Sequence, residues 1–135
     1  MAIESKWILV QGYTWKGSVN NLLKADLHVH TCYSLDCLTS PENIISYCLQ
    51  TGINCLAIAD HGTIEGALLL KKLAPFTIII AEEIRTPGGE IMGLFLTKEI
   101  PSHRSVNETI QQIQDQNGLV CIPHPGHLFR SSALK

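Results

Sequence analysis

From about residue 24 onward, short apolar blocks alternate with polar loops and with stretches of helical spacing, and most boundaries carry their own start or stop signal. Ala25 to His30 reads as a strand that leads into a polar loop, Thr31 to Leu38. Thr39-Ser-Pro-Glu42 combines a capping-box spacing with a proline near the first helical turn, so a helix opens there and Gly52 ends it. Ile44, Ile45, Cys48 and Leu49 form its expected buried stripe. Asn54 to Ala59 reads as a strand buried on both faces. Thr63 is placed to cap the next helix, which runs to about Leu73 and is broken by Pro75. Thr77 to Ala81 is a third strand ending on Glu82 and Glu83, Pro87-Gly-Gly89 a turn, and Ile91 to Leu96 a further strand. Ser105-Val-Asn-Glu108 is a second capping box for a helix closed by Gly118, and Leu119 to Ile122 is the last strand.

Repeated strand, loop and helix units with short connections predict an α/β fold with parallel strands, whose functional groups gather at the carboxyl edge of the sheet. Residues 1–23, with Trp7 and Trp15, read as an apolar N-terminal extension without assigned chemistry.

Composition narrows the class. At 135 residues and 45% hydrophobic, the chain holds one globular domain at most. Ten basic and twelve acidic residues are mixed along it, for a net charge of −2, which offers nucleic acid or a membrane surface no broad attraction. No apolar run approaches the roughly 18 residues that span a bilayer, and Ile8-Leu9-Val10 is too short for a signal-peptide core. The five cysteines include no Cys-x-x-Cys pair, which argues for reduced thiols and a cytoplasmic protein. Cys48, Cys55 and Cys121 read as small buried apolar residues.

The candidate chemistry lies where the strands end. In Asp26-Leu-His-Val-His-Thr31 the two imidazoles stand two apart on a strand, so His28 and His30 share a face and can grip one metal. Asp60-His61, Glu82-Glu83 and Pro123-His124-Pro125 follow later strands in the same way. Each alone has a plainer reading, as half-buried strand histidines, a helix cap or a solvated strand end. Together they outline a polynuclear metal site. A structural zinc site of Cys32 and Cys37 with His28 and His30 competes with this, but the Cys-x4-Cys spacing is loose. His103 and His127 are expected at the surface.

These motifs resemble those of the polymerase and histidinol phosphatase family of metal-dependent phosphoesterases, the PHP domain. The resemblance rests on Asp26-Leu-His-Val-His-Thr-Cys-Tyr-Ser-Leu-Asp36, Ala57-Ile-Ala-Asp-His-Gly62, Ala81-Glu-Glu-Ile-Arg-Thr86 and Ile122-Pro-His-Pro125, in that order. It implies a distorted TIM-like barrel of seven strand and helix units, binding two or three zinc, manganese or iron ions. His28 and His30 would bind the first ion, Glu83 would bridge it to a second served by His124, and Asp36 would join His61 on a third. Asp26 and Asp60 would orient neighbouring imidazoles. Hydrolysis by metal-activated water of a small phosphomonoester or phosphodiester would follow, with Glu83 central and Arg130 holding a phosphate oxygen.

Two positions depart from the family pattern. Glu90 stands after Gly89 where many members carry a histidine, so the second ion has either one ligand fewer or Glu90 in its place. The closing Asp-x-His motif is not found after His124, so residues 24–135 are expected to form a PHP domain incomplete at its C-terminus, with about five strands and an exposed edge open to self-association. A metal-binding module without catalysis is the main alternative. A 3′-end exonuclease is a third, against which the low basic content weighs.

Overall fold

The computed structural model describes residues 22–125. Trp7, Trp15, His127 and Arg130 lie outside the described residues, and their expected roles stay expectations. In chain order the elements are β1 (Ala25–Val29), α1 (Pro41–Thr51), β2 (Cys55–Ile58), α2 (Glu65–Leu73), β3 (Thr77–Thr86), β4 (Gly89–Leu94), α3 (Val106–Gln114) and β5 (Leu119–Cys121). They form a mixed α/β fold whose sheet, ordered β1-β2-β3-β4-β5, curls as half a barrel.

The apolar run of β2 is buried on both faces because each face meets a different layer. Leu56 and Ile58, with Ile78 of β3, pack under Ile44 and Cys48 of α1 and Ala67 and Leu70 of α2. Ile113 of α3 joins Ile84 and Ile91 farther along the same layer. The opposite face is lined by Ala57, Ala59 and Ala81, with Met92 and Leu94. Alanines keep this inner face shallow, which leaves space beyond them where β1, β2 and β3 carry their polar groups.

The expectation of parallel strands holds for β1, β2 and β3 only. β4 runs antiparallel to both its neighbours. β3 does not stop before Glu82 but continues to Thr86, and Pro87 and Gly88 alone link it to β4. Such a link can only build a hairpin, since a parallel return needs a dozen residues or more. The Thr86 hydroxyl donates to the Gly89 carbonyl and accepts from the Gly88 N–H, and Gly89 takes φ +132. The strand expected at Ile91–Leu96 accordingly begins two residues earlier.

Helix ends differ from expectation in two places. Ser40, not Thr39, caps α1, its hydroxyl accepting from the Asn43 N–H, while Gly52 closes the helix at φ +74. The Thr63 hydroxyl does accept from the Glu65 N–H, but the Ile64 N–H at the mouth of α2 donates to Glu99, 35 residues away. The Ser105–Glu108 capping box of α3 forms as the spacing predicts. Leu49 is exposed although placed in the α1 stripe, because it sits about 140° around the helix from Ile44. Cys48 and Cys55 are buried and Cys121 half-buried, and all five thiols are free. None of the described helices is long and apolar enough to cross a membrane.

Candidate metal centre

A β-bulge decides where the first two imidazoles point. Asp26 pairs with Leu56, but Val29 pairs with Ile58, so β1 carries one extra residue between these pairs. With a regular ladder, residues 26, 28 and 30 would all face the helices alongside Leu56. The extra residue exchanges the faces. Val29 packs into the helix layer, and His28 and His30 turn to the inner face. Asp26 is left behind the bulge, where it accepts from the His28 backbone N–H at 3.2 Å.

Strand alternation separates the two glutamates in the same way. Glu83 turns inward, while Glu82 turns outward and accepts from the Ile100 N–H at 2.9 Å. His61, just past β2, forms an isolated parallel bridge with Glu83. Its Nδ1 lies 3.2 Å from the Glu83 carbonyl oxygen. A carbonyl only accepts, so this nitrogen carries the proton and Nε2 of the neutral ring offers a lone pair to the site. His124, past β5 and at φ +34, brings its Nε2 within 3.0 Å of Glu83 Oε1.

The other oxygen of Glu83 is the hub. Oε2 lies 3.0 Å from His28 Nε2, 3.1 Å from His30 Nε2 and 3.5 Å from His61 Nε2. Asp36 reaches in from the loop, with Oδ1 3.4 Å from His30 Nδ1 and Oδ2 3.5 Å from His61 Nε2. Two trios result, His28 with Glu83 and His124, and His30 with Asp36 and His61. The resemblance instead pairs His28 with His30.

These separations fit metal ions. Two atoms bound to one zinc at about 2.0–2.1 Å stand about 3.3 Å apart at the tetrahedral angle. Within the trios, His28 Nε2 and His124 Nε2 each lie 3.0 Å from a Glu83 oxygen and His61 Nε2 lies 3.5 Å from Asp36 Oδ2, close to that spacing. Imidazoles mixed with carboxylates suit zinc, manganese or iron. The thiols do not take part: Cys37 Sγ donates to the His30 carbonyl, and no cysteine belongs to either trio among the described residues.

The charges are mutually arranged. Burial acts to raise the Glu83 carboxyl, but hydrogen bonds from His28 and His30 and the nearby imidazole charge outweigh it and hold the group far below the usual range. Burial acts to lower His30, yet Glu83, Asp36 and Asp60 raise it overall. For Asp36, burial is likewise outweighed by the Ser34 hydroxyl and by His30 and His61, which lower it.

Several contributors escape sequence reading. Ser34, buried in the loop, donates to Asp36 at 2.6 Å and accepts from the His61 N–H at 3.1 Å. No motif logic singles out that serine. Asp60 binds no imidazole. It accepts from the Thr31 N–H at 2.6 Å and the Thr31 hydroxyl at 2.8 Å, locking the chain just after His30. Neither Asp26 nor Asp60 therefore orients a ring directly. Glu90 is buried, with its oxygens 3.8 Å from His124 Nε2 and 4.0 Å from His61 Nε2, at the edge of both trios. All six expected ligands, His28, His30, Asp36, His61, Glu83 and His124, converge here, and His103 is exposed.

Glu82 has a measurable consequence. Burial, aided by Glu99 and opposed by the Ile100 hydrogen bond, pushes its carboxyl up to about 7. The folded form therefore holds this proton more tightly than the unfolded chain. Stability contributed by the protonated group is full below about pH 4.5 and falls as pH rises through 7. Urea titrations of the metal-free protein at pH 5 and pH 8 should show Glu82→Gln removing a loss on the order of 2 kcal/mol. An equal pH response in parent and variant would refute this.

A half-barrel α/β sheet carrying imidazoles and carboxylates at its strand ends defines the class, an α/β fold with side chains grouped to hold metal ions. The chain belongs to the PHP domain family, whose profile matches residues 26–118. Two curated relatives come from Methanocaldococcus jannaschii. Uncharacterized protein MJ1587 is 42% identical over 116 residues, covering 76% of this chain and 68% of its own length. Uncharacterized protein MJ0417 is 36% identical over 114 residues, covering 83% of this chain and 44% of its own. A crystal structure from Bacteroides vulgatus, of a two-domain protein containing a predicted PHP-like metal-dependent phosphoesterase, superimposes with a TM-score of 0.68 at 20% identity. It covers 78% of this chain and 36% of that one, and shares the fold.

Proposed function

We propose that this protein is a cytoplasmic, metal-dependent phosphoesterase that hydrolyses a small phosphomonoester or phosphodiester, with two or three zinc, manganese or iron ions in the site. The observation that carries this is the convergence of four imidazoles on the two oxygens of Glu83. His28, Glu83 and His124 would hold one ion and His30, Asp36 and His61 another, with Glu83 Oε2, 3.1 Å from His30 Nε2 and 3.5 Å from His61 Nε2, placed to serve both. Such ions, when bound, lower the pKa of water and offset charge developing on a phosphoryl group. The chain's own part is to aim the donors: the Glu83 carbonyl orients His61, and Ser34 holds Asp36 toward the rings. The complete seven-unit barrel of the family belongs to this proposal too.

The test is to load the full chain with zinc or manganese, dialyse it, and measure metal content beside release of nitrophenol from mono- and bis-nitrophenyl phosphate. About two retained ions per chain and turnover abolished by a chelator are expected. Metal retained without turnover of either ester would leave a metal-binding module. Absence of both would defeat the proposal.

A further inference from the structure

Arg85 lies two residues beyond Glu83 on β3, so both side chains project to the inner face. Its place is well defined. The Arg85 carbonyl accepts from the His103 N–H at 2.7 Å, and the Thr86 hydroxyl ties the hairpin end just beyond it. The guanidinium Nε lies 3.6 Å from Glu90 Oε1, and that same oxygen is 4.0 Å from His61 Nε2. The cation thus stands one carboxylate away from the trio of His30, Asp36 and His61.

At 3.6 Å the contact with Glu90 is an ion pair longer than a hydrogen bond. It steers the side chain without consuming its fork, and the side chain is 55% exposed while Glu90 is 7% exposed. A buried anion behind an open guanidinium presents the donors outward, toward whatever approaches the site from solvent.

We propose that Arg85 binds the phosphoryl oxygens of the substrate and makes the site selective for a terminal phosphate over a diester. This rests on the phosphoesterase reading above. A terminal phosphate has three non-bridging oxygens and a charge near −2, enough to meet the metal site and the guanidinium fork together. A diester has two such oxygens and a single charge, so occupying the metal site leaves the fork little to hold. Arg85 also takes a role that sequence reading offers to Arg130.

The test is calorimetric titration of the metal-loaded full chain with inorganic phosphate and with dimethyl phosphate, in parent, Arg85→Ala and Arg85→Lys, with metal content measured in each. Phosphate binding should weaken on the order of tenfold in Arg85→Ala and recover in part in Arg85→Lys. Dimethyl phosphate should change less than about threefold, and metal content should stay at the parental level. Unchanged phosphate affinity, an equal loss for both anions, loss of metal in Arg85→Ala, or a parent that binds no phosphate would each overturn the assignment. If phosphate binding depends on Arg85 but neither nitrophenyl ester is turned over, phosphate binding by Arg85 stands, and its role toward a substrate falls with the hydrolase reading.

Discussion

Glu83→Ala is expected to reduce metal content from about two ions per chain to near zero, with any phosphoesterase activity falling by well over the roughly 100-fold that loss of an outer partner costs. Glu83 Oε2 meets three imidazoles and Oε1 meets the fourth, so one substitution removes the group common to both halves of the site. The rings of His28 and His124 would then lose the carboxylate between them, and only Asp36 would still bridge His30 and His61. In the metal-free protein the effect on stability should depend on pH. The lowered Glu83 carboxyl stabilises the fold above about pH 4.5, and this is lost as pH falls through its folded value. The raised His30 stabilises below about pH 6.5, and this is lost as pH rises through its folded value. The metal-free variant should therefore fall furthest behind the parent between these limits. Elemental analysis after dialysis and urea titration across pH 4 to 8 check both halves. A variant that retains its metal would show that Glu83 is not the shared ligand.

Gly66→Ala should be among the most damaging single methyl additions in the chain. A Cβ at Gly66 would collide with the Asp60 carboxylate and would lie 2.5 Å from the Thr31 hydroxyl oxygen. Gly66, in the first turn of α2, faces both Thr31 of the loop leaving β1 and Asp60 past β2. Asp60 and Thr31 are fully buried and hold each other through two short hydrogen bonds, so neither can swing aside without leaving a polar group unpaired. Overpacking and bond loss together should cost about 3 kcal/mol or more, lowering Tm by about 10 °C. The displaced Thr31 would drag His30, so metal affinity should fall as well. Gly52→Ala is the control: its Cβ would meet nothing within 4 Å, and only the φ of +74 resists it, at about 1 kcal/mol. Comparable melting losses in the two variants would argue against the crowding account.

Local chemistry made much of this protein readable in one dimension. Caps, glycine stops and apolar runs are nearest-neighbour effects, so β2, α1 and the Ser105–Glu108 capping box could be located without a structure. The strand-end imidazoles and acids were legible for a related reason, as a pattern of position and type, whereas Asp36 and the bridging place of Glu83 came from the resemblance to the PHP family. The Pro87-Gly-Gly89 turn encodes the hairpin only through its length, because two linking residues are too few for a parallel return. What escaped depends on partners distant in sequence. Glu99 completes the mouth of α2, Ser34 connects Asp36 to His61, and Gly66 makes room for Asp60.

The sequence by itself determined the residue types of the site, the order in which strands deliver them, and most helix ends, because these follow from chain-local spacing and hydrogen bonding. Only the tertiary structure decided which way those side chains point. One extra residue in β1 turns His28 and His30 inward, and the return of β4 brings Glu90 and Arg85 to the same edge. The physical reason is that a strand's faces alternate with a period of two, so a single bulge or hairpin, set by pairing with another strand, exchanges inside for outside.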